Sequence, residues 1–281
     1  MSKILFSLIF PLHFFSACAQ NEIPLMINDG GYIFLTVKIN GNQSAKFMLD
    51  TGAGITVLSA DLFRKYRLEK AGMHTGTRHN GQSITGPVYT LPSLAVGTLI
   101  QRNLIVGEYD RLQNCDGLLS MDYFRNTPFT IDFINKKLIL ESSESVSHIS
   151  AQAEKIPIRL KTNGKNELDF FVTVCINDSI AAQAEFDTGA GFNMLMLNNS
   201  YLQKLHIDID KMPKRDYGYY VYSTFLPSLA YCGSATLKQK NIFVGFKEGL
   251  IYEALIGSGM FRNRKLTINI PRSEMLVAKY Q

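Results

Sequence analysis

Ile33, Leu35, Val37 and Ile39 alternate with Phe34, Thr36, Lys38 and Asn40. That is the period of a half-buried strand. Asn40-Gly41 then supplies a tight turn. Lys46–Leu49 leads into a polar Asp-Thr-Gly loop, and Ile55–Leu58 leads out of it as a second strand. Ser59 is placed to cap a short helix through Tyr66, with Asn198–Leu205 as its later counterpart. Residues 74–90 are polar and carry Gly76, Gly81 and Gly86, which suits a mobile hairpin. Leu104-Ile105-Val106 and Ile242-Phe243-Val244 predict strands, as do Phe129–Phe133 and Lys137–Leu140; Asp122–Asn126 predicts one helical turn.

The pattern occurs twice. Asp-Thr-Gly-Ala-Gly runs from Asp50 and again from Asp187, 137 positions later. At the same offset Leu35, Val37 and Ile39 match Val172, Val174 and Ile176. Gly81 matches Gly218, and Phe124-Arg125-Asn126 matches Phe261-Arg262-Asn263. An ordered series along both halves marks a duplication of one β-rich unit of ordinary domain size. The predicted division is a targeting segment at 1–19, a first repeat at 23–141, a polar linker at 142–154 and a second repeat at 155–281.

Composition narrows the class. The 281 residues are 46% hydrophobic and 19% charged, a globular balance. The net charge of +5 is scattered. Its densest cluster, Arg64-Lys65-Tyr66-Arg67, reads as a solvated helix face, so no nucleic-acid partner is expected. Lys3 followed by a short apolar stretch predicts an export signal, too short to span a bilayer. Ala17-Cys18-Ala19 suits cleavage for secretion, whereas Phe15-Ser16-Ala17-Cys18 resembles a lipobox that would leave a lipid on Cys18. The expected location is the periplasm or an outer-membrane tether through Cys18, with secretion as the alternative. Cys115, Cys175 and Cys232 then allow at most one disulfide. The five histidines show no metal-ligand spacing, and neither metal nor cofactor is expected.

One Asp-Thr-Gly is an ordinary turn. Two copies related by duplication can face one another across a pseudo-twofold axis, bringing Asp50 and Asp187 together. Adjacent carboxylates cannot both ionise cheaply, so the pair shares a proton and offers one general base and one general acid.

These residues resemble the retropepsin and pepsin group of aspartic proteases. The resemblance lies in Leu49–Leu58 and in the downstream stretches Gly117–Asn126 and Ala254–Asn263. It implies an all-β, two-lobed acid-protease fold with a few short helices. It implies an aspartic endopeptidase without cofactor, acting on a peptide or protein substrate as a pseudo-dimeric monomer. Carried over by position, Asp50 and Asp187 hold the attacking water. Thr51 and Thr188 lock the loops, and Gly52 and Gly189 let the substrate backbone approach. Hairpins around Gly81 and Gly218 form flaps, with Tyr219 beside a pocket. Ala53 and Ala190 stand where pepsin-like members often have a hydroxyl, which implies a pH optimum nearer neutrality. Ser120 replaces the usual glycine that Gly257 keeps, and Asn193 stands opposite Thr56. Two alternatives remain open: a peptide-binding module that does not cut, and an obligate homodimer.

Overall fold

The computed structural model describes residues 21–110, 112, 114–162, 167–216 and 220–278. The export segment and Cys18 lie outside these residues. The first repeat comprises β1 (Asn21–Ile27), β2 (Ile33–Ile39), β3 (Gln43–Leu49), β4 (Val57–Ser59), α1 (Ala60–Tyr66), β5 (Glu69–Thr77), β6 (Ser83–Val96), β7 (Leu99–Tyr109), β8 (Gly117–Leu119), β9 (Phe129–Asp132) and β10 (Lys137–Leu140). After α2 (Ser143–Gln152) the second repeat follows the same plan. It has β11 (Glu154–Thr162), β12 (Leu168–Ile176), β13 (Ile180–Phe186), β14 (Leu195–Asn198), α3 (Ser200–Lys204), β15 (Lys214–Asp216), β16 (Tyr220–Tyr231), β17 (Lys238–Lys247), β18 (Ala254–Ile256), β19 (Lys265–Asn269) and β20 (Glu274–Ala278).

The alternation of residues 33–39 becomes β2, with Ile33, Leu35, Val37 and Ile39 fully buried. Asn40 and Gly41 both take positive φ, as the two-residue turn into β3 requires. Ser59 caps α1 by accepting from the Leu62 amide at 3.3 Å. In α3 the equivalent position is Asn199, whose side chain makes no cap bond.

Six antiparallel strands, ordered β1-β10-β9-β19-β20-β11, join the two lobes. Each strand has its duplicate at the mirrored position. At the centre Thr130 pairs with Thr267, and their hydroxyls lie 2.7 Å apart. These two residues are 137 positions apart, so the pseudo-twofold axis passes between them. Phe129, Ile131, Leu266 and Ile268 are fully buried in this sheet, which is why the lobes do not separate into independent cores.

Within each lobe the Asp-Thr-Gly loop is threaded through strands of mixed direction. β3 runs parallel to β8, β4 antiparallel to β8 and parallel to β7. β13, β14, β17 and β18 repeat the arrangement. Cys175 and Cys232 form a disulfide that ties β12 to the end of β16, and Cys115 remains a free thiol.

The segment between repeats differs from the polar linker expected at 142–154. It forms α2, started by reciprocal bonds between Ser142 and Ser145 and pinned by buried Val146. Serine is a poor helix interior residue, so periodicity and composition concealed the cap.

Candidate active site

Asp50 follows directly on β3 and Asp187 on β13. Each aspartate amide donates to the end of the strand beside it: Asp50 to the Leu119 carbonyl at 3.0 Å, Asp187 to that of Ile256 at 2.9 Å. This is the structural use of the apolar pairs before Ser120 and Gly257. They form β8 and β18, and fix where each carboxyl emerges.

Thr51 and Thr188 cross the axis. The Thr51 amide donates to Thr188 Oγ1 at 3.1 Å and the Thr188 amide to Thr51 Oγ1 at 2.9 Å. Each hydroxyl then donates onward, Thr51 to the Phe186 carbonyl and Thr188 to the Leu49 carbonyl, both at 2.7 Å. Both threonines are buried. Four bonds in a dry environment fully satisfy two hydroxyls and two amides, so the loops are held at one separation.

Gly52 and Gly189 set that separation. A Cβ on Gly52 would lie 2.6 Å from Asp187 Cγ, and one on Gly189 2.6 Å from Asp50 Cγ. Only hydrogen fits between each loop and the opposing carboxyl. Gly52→Ala should therefore lower peptide-cleavage kcat/KM by about 10- to 100-fold through a displaced Asp187. The forced displacement at this buried loop should also lower the melting temperature by a few degrees, at about 1–3 kcal/mol for overpacking. Parental kcat/KM would show that the close approach is unimportant.

The two carboxyls lie close enough to share a proton, each packed against the glycine of the opposing loop. Burial raises the pKa of Asp50, against lowering bonds from Asp187 and the Gly52 and Ala53 amides. Burial and then the charge of Asp50 raise Asp187 further above the ordinary range. The pair therefore holds one proton in common. Asp187 Oδ1 is buried without a hydrogen-bond partner among the described residues.

The departures at Ser120 and Asn193 are coupled to the loops. In the first repeat Ser120 is buried, its amide donates to Thr56 Oγ1 at 3.2 Å, and its hydroxyl lies 3.1 Å from that oxygen. In the second, Gly191 takes φ +72° and its carbonyl enters the equivalent space, 2.0 Å from where a Gly257 Cβ would be. A glycine is needed there, and Asn193 turns outward to accept from Arg262 at 2.9 Å. The loop of the second repeat is bent this way by a contact with the first. The Gly30 carbonyl accepts from the Phe192 amide at 2.8 Å.

Above the dyad lies a cleft of about 860 Å³. Its roof is the β5–β6 hairpin, with Gly81 at the tip at φ +83°. The tip reaches the other lobe, where the Ile251 amide donates to the His79 carbonyl at 3.0 Å. The hairpin expected around Gly218 corresponds to β15 and β16, but Gly218 and Tyr219 lie outside the described residues. None of the described residues of that second hairpin lines the cleft. The two flaps expected from the duplication thus have different roles among the described residues, and the first covers the site.

Sequence reasoning passed over an acidic wall. Glu167, Asp169 and Glu185 line the cleft and are all buried. Burial, then Asp187 and Asp169, push Glu185 up to about 9. Burial and Glu167 push Asp169 up to about 6. Tyr252, beside Glu185, packs its ring edge against Phe171 at 5.3 Å. The duplication held the signal. At the offset of 137 these acids replace Gly30, Tyr32 and Met48, a change from no carboxylates to three. Among the described residues no group of three His, Cys, Asp or Glu side chains is arranged to hold a metal ion.

Comparison with known proteins agrees with this geometry. Residues 35–123 match the family model described as aspartyl protease. No curated protein matches the chain in sequence. Among solved structures, basic 7S globulin from soybean shares the fold with a TM-score of 0.55 at 9% identity, covering 92% of this chain and 95% of that one. The architecture is pepsin-like, built from two duplicated β-rich repeats.

Proposed function

We propose, from the aspartyl protease match of residues 35–123 and the pepsin-like fold of the chain, that the protein is an exported endopeptidase. The observation that carries this reading is the pair of facing carboxyls, Asp50 and Asp187, each against the other's loop, locked by Thr51 and Thr188 beneath a hairpin. Both carboxyls come from one polypeptide, which favours action as a monomer over an obligate homodimer. The Cys175–Cys232 disulfide supports an oxidising compartment, in keeping with the predicted export segment.

A water held between the carboxyls attacks the carbonyl carbon of an extended peptide. Its proton passes to the ionised carboxylate while the protonated partner gives its proton to the carbonyl oxygen. The resulting tetrahedral diol then collapses. A hydroxyl proton returns to the dyad, the amide nitrogen is protonated, and the carbon–nitrogen bond breaks to an acid and an amine. The hairpin over the cleft excludes bulk water during these transfers.

Digestion of a proteome-derived peptide library by the intact chain, read by mass spectrometry, tests the proposal. Internal cuts are expected. A library left uncut would point instead to peptide capture without hydrolysis. The same assay yields the pH profile. Ala53 and Ala190 offer no hydroxyl to hold the carboxylates ionised, and burial raises both. The raised pair keeps its shared proton to higher pH, so the rate should peak nearer neutrality and fall as that proton is lost in alkali. Full activity confined to strong acid would contradict this.

A further inference from the structure

The acidic wall lies on one lobe only, and it faces the cleft for a geometric reason. Side chains two apart on a strand share a face, so Glu167, Asp169 and Phe171 point the same way as β12 is entered and followed. Glu185 is paired with Phe171 across β12 and β13, and Asp187 continues that face two residues on. Leu168, Phe170 and Phe186 point the other way, into the core. The acids therefore form a continuous strip that ends at the dyad.

We propose that this strip is a binding subsite for the side chain of a lysine or arginine next to the cleaved bond of a peptide substrate. The inference rests on the protease reading above and deepens it. Glu167 is only 8% exposed, and its Oε2 is buried without a hydrogen-bond partner while the residue lines the cleft. A buried carboxylate oxygen without a donor is costly, and a guanidinium or ammonium supplies the missing donors. Asp169 and Glu185 are nine-tenths buried or more and stand beside it; of the two, only Asp169 feels a cation, the charge of Lys161, and neither makes an ion pair among the described residues. Lys161, opposite Asp169 on β11, is exposed and also lines the cleft, so a substrate cation would join it beside the acids.

The other side of the cleft is different. Ile55, Val57, Val88 and Leu118 line it from the first lobe. Glu108 and Asp110 also line the first-lobe side but are exposed, so a substrate lying across Asp50 and Asp187 meets the apolar side chains on one side of its scissile bond and the buried acidic strip on the other. The subsite thus predicts cleavage between an apolar residue and a basic one.

The test uses the full chain and the library digest. Cut sites should be enriched in lysine or arginine at one flanking position. For an apolar peptide containing one such lysine, Nε-acetylation should lower kcat/KM by about 30-fold, because it removes the charge and leaves the buried acids unpaired. In a Glu167→Gln, Asp169→Asn double variant that ratio should fall close to one. Cutting without basic enrichment, equal rates for the two peptides, or a ratio unchanged in a folded double variant would each overturn the subsite while leaving the protease standing. If nothing is cut, the same two peptides are titrated into the Asp50→Asn chain by calorimetry. At least tenfold tighter binding of the unacetylated form would support the subsite although the protease reading had failed. Equal binding, or none, would overturn it.

Discussion

Asp187→Asn should lower the proposed peptide cleavage by about a thousandfold or more, and Asp50→Asn should lower it as far. Asparagine matches aspartate in shape and can accept from the amides that orient the loop, so the Thr51–Thr188 lock and the pepsin-like fold should survive. What is lost is the shared proton. An amide cannot take a proton from water or deliver one to a carbonyl oxygen, and general acid–base catalysis of this kind is worth roughly 10²–10⁴ in rate. Because the two carboxyls act as one unit, the double variant should lose little beyond either single one. Neutralising one member also removes the repulsion that raises Asp187, so neither variant should melt below the parent. Initial rates on one peptide, with melting curves of all four proteins, check both statements. Cleavage near the parental rate in either single variant would remove the dyad from the mechanism.

The same pair shows how much of the site can be read without coordinates. A motif repeated at a constant offset places both aspartates, both threonines and both glycines, because duplication forces equivalent loops onto one axis. The Thr130–Thr267 contact at the centre of the joining sheet has the same offset and the same cause. Differences between the copies were harder to read. Ser120 looks like a fault in the motif until Thr56 is seen to bind it, and Gly257 looks ordinary until the Gly191 carbonyl occupies its missing side chain's space. Glu167, Asp169 and Glu185 are scattered over 19 positions and resemble surface acids one at a time. Only strand pairing shows that they share a face. α2 was lost for a local reason, since its cap is made by serines that equally suit a linker.

Glu185→Gln should stabilise the protein at neutral and mildly alkaline pH and have little effect in acid. Glu185 is 4% exposed, and its folded-state pKa is raised from 4.5 to about 9 by burial, then by Asp187 and Asp169. Below 4.5 the side chain is protonated whether the chain is folded or not, and no penalty arises. Between 4.5 and 9 the unfolded chain releases this proton while the folded chain keeps it. The folded state then binds more protons, so stability falls as pH rises, by at most about 1.4 kcal/mol per pH unit for this one group. The coupled neighbours Asp50, Asp187 and Asp169 share the effect, and Tyr252, beside the carboxylate, offsets part of it. An expected gain for the glutamine variant is about 2–3 kcal/mol near pH 8, or roughly 5 °C in melting temperature. Near pH 4.5 the two proteins should melt together. Glutamine retains an oxygen for Tyr252, so the comparison isolates the charge. A difference independent of pH, or a variant that melts earlier at pH 8, would mean that Glu185 already has a counter-charge. The acidic strip would then contribute to stability in the free protein, instead of being held beside the dyad at a cost that substrate binding can relieve.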